Sequence, residues 1–451
     1  MKKIMSIILA AGTGTRMNSK NHKVLHKILD KTLIQYVVEA TKEVQSEKDC
    51  VIVGYMADEV KSNLEKYEAL EFPVQSEQKG TGHAVLMAKN FIDENSDVII
   101  LCGDTPLLKS SMLKKLVESH QNNNNDITLA TCNLDDPSGY GRINKENGKI
   151  TKIVEHKDCD ENQLKITEIN TGVYIFKGDV LLSLLGKIKN DNVKGEYYLT
   201  DTIEIALSEN KTVESIVFDN PEQFNGINTK LQLHDAAKLM RERINKQHME
   251  NGVVIVDSNT TYISKDVKIE KDTVIYQNCQ IFGSTTIGED CEIGPNTNIN
   301  TMKIGNGVSI LNSTTNQSSI DDNTTVGPYA YVRPNSEIGK NVKIGDFVEV
   351  KKAKIGNNTK ASHLTYIGDS VVGENVNFGC GTITVNYDGK NKFLTTVEDN
   401  VFIGSNVNLI APVTIEKNSK VAAGTTVTKK VPSNALAIGR VKQDNKENYV
   451  R

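Results

Sequence analysis

Leu9 to Met17 reads LAAGTGTRM and joins an apolar run, Ile4 to Leu9, to small residues, two glycines one apart and Arg16. A glycine-rich turn after a buried strand can bring backbone N–H groups close to a phosphate. The dinucleotide fingerprint G-x-G-x-x-G would put its third glycine on Met17, which excludes that reading. Asp104, in LCGDTPLL, offers a hard oxygen ligand at the end of a predicted strand, and Mg²⁺ typically takes only one or two such protein oxygens. Far downstream, His363 in KASHLTYIG is the one imidazole within residues 251–451. With a reference pKa of about 6.5, imidazole is suited to accepting a proton near neutrality.

Two different scaffolds must position these groups. In the first half, short β-prone runs (Ile7–Leu9, Cys50–Val53, Val98–Leu101, Ile127–Ala130 and Val173–Phe176) alternate with helix-like stretches such as Ile34–Val44 and Ser111–His120. That alternation predicts an α/β domain with a mostly parallel, Rossmann-like sheet, whose ligands belong at the carboxyl ends of the strands. The polar run Asn122–Asn125 reads as a solvated turn. From Thr229 to Asn251 there is no Gly or Pro, and Leu231, Leu239, Met240 and Ile244 recur at roughly helical spacing, which predicts a connecting helix.

Beyond that helix the period changes. Ile263, Ile269, Ile275, Ile281, Ile287, Ile293 and Ile299 stand six residues apart without a break. The same spacing resumes at Ile320, Val326, Val332, Ile338, Ile344 and Val350, again at Ile355, Ala361 and Ile367, and finally at Ile403, Leu409, Ile415, Val421 and Val427. No amphipathic helix has this period, whereas a parallel β-helix stacks one aliphatic side chain per face into a continuous core. The repeat is interrupted near Thr384–Val397, where NYDGKNK intrudes, so an extra loop with a functional role is expected there.

The net charge of -4, with 53 Lys+Arg against 57 Asp+Glu, points to neither nucleic acid nor a membrane surface as a partner. Seven dispersed cysteines without C-x-x-C spacing suit free thiols in a reducing cytoplasm. The start, MKKIMSIILAAG, has too short an apolar core for a signal peptide and runs straight into the Gly-rich turn and Arg16. No stretch is long and apolar enough to be expected to span a bilayer.

Leu9–Met17 followed by HKVLHK resembles the signature of sugar-nucleotide pyrophosphorylases. QSEQKGTGHA, LCGDTPLL, GYGRI, IVEHKD, EINTGVY, GEYYLTD and FNGINTK then follow in the family's order. Together with the hexapeptides, nearly the whole chain resembles the bacterial bifunctional N-acetylglucosamine-1-phosphate uridylyltransferases/glucosamine-1-phosphate acetyltransferases. The resemblance implies a uridylyltransferase domain over 1–228, a helical linker over 229–250 and, over 251–451, a left-handed parallel β-helix with a C-terminal tail.

It further implies that Leu9, Ala10, Ala11 and Gly12, with Gln75, Gly80 and Thr81, hold uridine, and that Arg16 and Lys23 are phosphate cations. Gly141, Glu155, Asn170 and Asn228 would hold the sugar, and Asp104 and Asn228 would bind Mg²⁺. In the acetyltransferase half, His363 is the implied general base, and Arg333 and Lys351 the implied clamp on the sugar phosphate. Lys352 should point the other way by strand alternation. Tyr366 and Asn377 complete the acceptor site, while Cys380, Asn386, Tyr387, Ser405, Ala423 and Arg440 fall on the acetyl-CoA side. Acetyl-CoA and UTP are the implied co-substrates, and a homotrimer the implied assembly. The chain departs from the commonest family wording at Thr13, at His22 (where a Pro often precedes the lysine), at Cys102 (often Tyr) and at Cys380 (often Ala). Two other readings compete: a single-activity sugar-1-phosphate nucleotidylyltransferase with a structural or regulatory β-helix, and a non-enzymatic nucleotide-exchange-factor subunit. The presence of Arg16, Lys23, Asp104 and Asn228 weighs against the last.

Overall fold

The computed structural model describes residues 2–449, and the chain divides into two compact units between Met240 and Arg241. In the first unit, strand Ile4–Leu9 runs parallel to Lys48–Ile52 on one side and to Asp97–Cys102 on the other. Ile7 and Ile8 are both fully buried. A strand covered on both faces needs apolar residues throughout, which is why this run does not alternate. Glu168–Lys177 is antiparallel to both Asp97–Cys102 and Ile127–Asn133, and Val213–Val217 adds a parallel edge to a sheet of nine strands.

Because Leu9 and Cys102 end neighbouring parallel strands, the residues after each are delivered to one edge of the sheet. The Gly103 amide donates to the Leu9 carbonyl at 2.9 Å and ties the two exits together. The expected helices are Leu33–Glu43 and Ser110–Asn122. The first opens on a capping box in which the Thr32 amide donates to Gln35 Oε1 at 3.0 Å, satisfying donors that a helix start leaves unpaired. Asn122–Asn125 differs from expectation at its last residue. Asn125 is buried, and its amide nitrogen donates to Thr128 Oγ1, so this end of the turn is part of the interior.

Helix Lys230–Glu250 buries Ala236, Met240 and Ile244 and leaves Leu231 exposed. The second unit is a coil of short parallel strands. Ile263 pairs with Ile281, Ile269 with Ile287 and Ile275 with Ile293, a step of three hexapeptides, so each turn has three sides. Every stacked aliphatic is essentially buried, and such a side chain contributes about 1.5–3 kcal/mol.

The stack continues where the six-residue period lapses. Ile299 is followed at the next core positions by Ile304, Ile310 and Thr315 before Ile320, and each keeps its parallel partner in the neighbouring turn. Shortening a side by one residue preserves the stack and erases the period. Asn278, Asn296 and Asn312 occupy one corner with positive φ, a conformation Asn tolerates better than most residues, and their side-chain amides form a ladder of 3.1 Å hydrogen bonds.

Candidate functional site

At the sheet edge, Leu9, Ala10, Ala11, Gly12, Lys23, Gln75, Gly80, Thr81 and Asp104 line one cavity of about 280 Å³. A Cβ at Gly12 would meet no protein atom within 4 Å, so the bare backbone there leaves room for a ligand. Gly14 is constrained in the opposite way. Its φ is +62°, and a Cβ would lie 2.5 Å from that of Lys23, so only glycine lets the loop close on the lysine. Gln75 donates to the Gly80 carbonyl at 3.1 Å, and Gln78 donates to the Ala11 carbonyl at 3.3 Å, bracing the far wall.

Lys23 Nζ forms an ion pair with Asp104 Oδ2 and donates to Asn228 Oδ1 at 3.0 Å. Arg16 Nη2 donates to the same Asn228 oxygen at 2.9 Å. Two hard oxygen donors, from residues far apart in sequence, therefore converge on one cationic point. No cluster of three or more metal-ligating His, Cys, Asp or Glu side chains occurs among the described residues. A small hard cation needs only one or two protein oxygens when phosphates and water supply the rest. The donor set at Asp104 and Asn228 fits such an ion.

Gly141, Glu155 and Asn170 form a neighbouring group. A Cβ at Gly141 would lie 3.6 Å from both Glu155 Oε1 and the Asn170 Cβ, and the Asn170 amide donates to the Gly141 carbonyl at 2.9 Å. Leu199–Thr200 links this group to the cavity: Leu199 N donates to Thr81 Oγ1 at 3.0 Å, and Thr200 Oγ1 to Glu155 Oε1 at 3.2 Å. Burial raises the Glu155 carboxyl above its usual range, and burial beside Glu155 pushes Asp201 up to about 6. Cys102 lines the cavity, and burial pushes its thiol up to about 12, so it is a packing group rather than a thiolate.

In the second unit the candidate residues follow two sides of the coil. Asp346, His363, Cys380, Ser405 and Ala423 each lie two residues past a stacked core position: Ile344, Ala361, Phe378, Ile403 and Val421. Arg440 extends this ladder by donating to the Ala423 carbonyl at 3.1 Å. Asn377 belongs to the same sheet, paired with Lys360 and Phe402. Arg333 and Lys351 lie one residue past Val332 and Val350, in the other sheet, which also carries Tyr366.

His363 Nδ1 and Asp346 Oδ1 are 2.6 Å apart, and that hydrogen bond holds the Asp346 carboxyl below its ordinary range. With a carboxylate accepting at Nδ1, the neutral ring carries its proton there and leaves the Nε2 lone pair free. On the other ladder, Arg333 donates to Glu349 at 2.8 Å, and Lys351 donates to Asp369 at 3.0 Å. Asn386 donates to Asp369 as well and lies 3.5 Å from the Tyr366 hydroxyl. Asn386 thus shares the Asp369 carboxylate with Lys351. Tyr387 is half-exposed, with its hydroxyl donating to the Gly389 carbonyl at 2.6 Å. Lys352 is exposed while Lys351 is buried. No hydrogen bond among the described residues joins His363 to Arg333, Lys351, Tyr366 or Asn377.

Sequence reasoning missed Gln78, Asp346, Asp369 and Lys392. Lys392, from the intruding loop, stands against Lys351, and the contact between the two amines pulls it below the usual lysine range. Two crowded ammonium groups beside one carboxylate make a site ready for an anion. Asp346 was discoverable in principle, since it precedes His363 by 17 residues, one turn of this coil.

Comparison with known proteins covers both halves. A family described as nucleotidyl transferase matches residues 5–221, a GMPPB C-terminal domain matches 314–387, and bacterial transferase hexapeptides match 394–429. A protein named bifunctional protein GlmU from Clostridium perfringens is 50% identical over 446 residues, 99% of this chain and 98% of that one. Proteins of the same name from Clostridioides difficile (99% of this chain, 97% of that one) and Geobacillus sp. (100% and 98%) are each 49% identical.

Proposed function

The chain belongs to the GlmU family of bifunctional proteins, and from that premise we propose how its residues divide the synthesis of UDP-N-acetylglucosamine. It is a bifunctional transferase. The hexapeptide half acetylates glucosamine 1-phosphate from acetyl-CoA, and the nucleotidyltransferase half transfers uridylyl from UTP to the product and releases pyrophosphate. The observation that carries this reading is the presence on one chain of two chemically distinct arrangements. Arg16 and Lys23 converge with Asp104 and Asn228 at a sheet edge, and an imidazole–carboxylate pair stands on the coil.

In uridylyl transfer the sugar phosphate is already an anion and attacks the α-phosphorus of UTP in line, so no general base is needed. Repulsion between phosphates is the obstacle. Lys23 and Arg16 supply positive charge, while the Leu9–Gly12 backbone, Gln75, Gly80 and Thr81 hold the uridine. Gly141, Glu155, Asn170 and Asn228 orient the sugar. Asp104 and Asn228 would hold Mg²⁺, which supplies further neutralisation of the phosphates when bound.

In acetyl transfer the sugar amine attacks the thioester carbon and coenzyme A thiolate leaves. His363 Nε2 takes the proton from the nitrogen, and Asp346 keeps the ring in that tautomer. Arg333, Lys351 and Lys392 face the sugar phosphate with Tyr366 and Asn386. Cys380, Ser405, Ala423 and Arg440, stacked along the His363 ladder, run beside the coenzyme. The base and the phosphate clamp lie on different sides of the coil, which supports sites assembled between copies of the chain and hence a homotrimer. The seven free cysteines suit the cytoplasm. Among the described residues no helix is long and apolar enough to cross a membrane.

The test is direct. Acetyl-CoA and glucosamine 1-phosphate should release free thiol, and added UTP should then release pyrophosphate. Pyrophosphate release from N-acetylglucosamine 1-phosphate without thiol release in the first step would leave a single-activity nucleotidylyltransferase.

A further inference from the structure

His22 precedes Lys23 and is fully buried. Its Nδ1 accepts a hydrogen bond from the Val24 amide at 3.2 Å, and its carbonyl accepts from the Leu25 amide at 3.0 Å. Both bonds close the single helical turn Lys23–Leu25. The ring stacks on Tyr55, with centroids 6.1 Å apart, and lies against the Gly12 backbone. Because Nδ1 accepts, the neutral ring must carry its proton on Nε2. On the other side of the lysine, Gly14 is close enough that a Cβ would press on the Lys23 Cβ. The base of the Lys23 side chain is thus held between the phosphate loop and a turn that the imidazole caps.

We propose that His22 is a positioning residue for uridylyl transfer: its neutral ring locks the Lys23 turn against the Gly12–Gly14 loop and so keeps the ammonium aimed at the phosphates. The inference rests on the functional reading above. It concerns a residue that touches neither the reacting atoms nor the metal oxygens. A proline would fix the same turn by its ring. Here the fixing group can be protonated, and a protonated Nδ1 cannot accept from Val24. Burial and the neighbouring Lys23 charge favour the neutral ring, with His26 acting in the same sense and the Gly12 backbone and Glu59 opposing. The lock therefore holds at neutral pH and is released only in acid, below the ordinary imidazole value of about 6.5.

The experiment uses the full chain and reads both half-reactions. His22→Phe keeps ring volume and the stack on Tyr55 but cannot accept from Val24. His22→Asn keeps a short acceptor at the cap. For His22→Phe we expect kcat/KM for UTP to fall about tenfold or more while acetyl transfer and Tm stay near wild type. His22→Asn should recover to within about threefold of wild type and lose the acid decline that wild type shows relative to it. Wild-type kcat/KM in His22→Phe, an equal loss in His22→Asn, or parallel acid limbs in wild type and His22→Asn would overturn the inference. Wild-type protein without any uridylyl transfer would overturn the functional reading itself, and with it this proposal.

Discussion

The two sites are built on opposite plans. At the sheet edge, loops from distant parts of one chain fold over a cavity, and the charged groups satisfy one another: Lys23 bridges Asp104 and Asn228, and Arg16 shares the Asn228 oxygen. On the coil, candidate residues stand in rows along two sides, and the His363 side chain is more than half exposed and paired with Asp346. An α/β sheet gathers groups at a point, because parallel strands end together. A solenoid spreads its groups along lines, because each turn repeats the one below. A point can be a complete site within one chain. Two lines on different sides form one site in the proposed assembly, where a second chain brings the other line across.

The largest expected effect comes from removing the hard oxygen at the sheet edge. Asp104→Ala should leave no measurable pyrophosphate release while thiol release from acetyl-CoA continues at the wild-type rate. Loss of both would mean that the two sites are not independent. His363→Ala should show the mirror image, with acetyl transfer down about 10²–10⁴-fold, the usual worth of a positioned general base, and uridylyl transfer intact. Asp346→Asn should cost less, about 10–100-fold, by analogy with other residues that orient a working imidazole. If it matched wild type, the tautomer argument would fail. The smallest effect concerns scaffold alone. Thr315 fills a core position where the neighbouring turns carry Ile299 and Val332, and its buried hydroxyl has no partner among the described residues. Thr315→Val should stabilise the hexapeptide half by about 1 kcal/mol, seen as a higher midpoint in urea with neither activity changed. A lower midpoint would show that the hydroxyl is bonded after all.

What could be read from sequence follows the same contrast. Ile263 through Ile299 announce the coil because one residue in six faces a narrow, regular core, and nothing else produces that spacing. Ile304, Ile310 and Thr315 continue it invisibly, since a five-residue side keeps contact in space while breaking the count along the chain. At the sheet edge the strand ending at Leu9 and the small residues after it are local features and legible as such. The convergence of Lys23, Asp104 and Asn228 is not local. It depends on contacts between residues 81 and 205 positions apart along the chain, and only the resemblance put those residues in one set. Asn125 shows the converse limit: a polar run reads as solvated until its last member proves to bond Thr128 inside the fold. The hydrogen bonds of Asn386 to Asp369 and Tyr366 were hidden for a similar reason, because they join residues 17 and 20 positions apart.

Complementation between co-expressed chains tests the contrast most directly. Chains carrying His363→Ala and Lys351→Ala, tagged differently and purified through both tags, should recover about a third of wild-type acetyl transfer, since each mixed trimer joins the two intact ladders at one interface in three. Chains carrying Asp104→Ala and Lys23→Met, mixed in the same way, should recover no uridylyl transfer. Acetyl transfer that stays absent in the first mixture, or uridylyl transfer that returns in the second, would contradict the account.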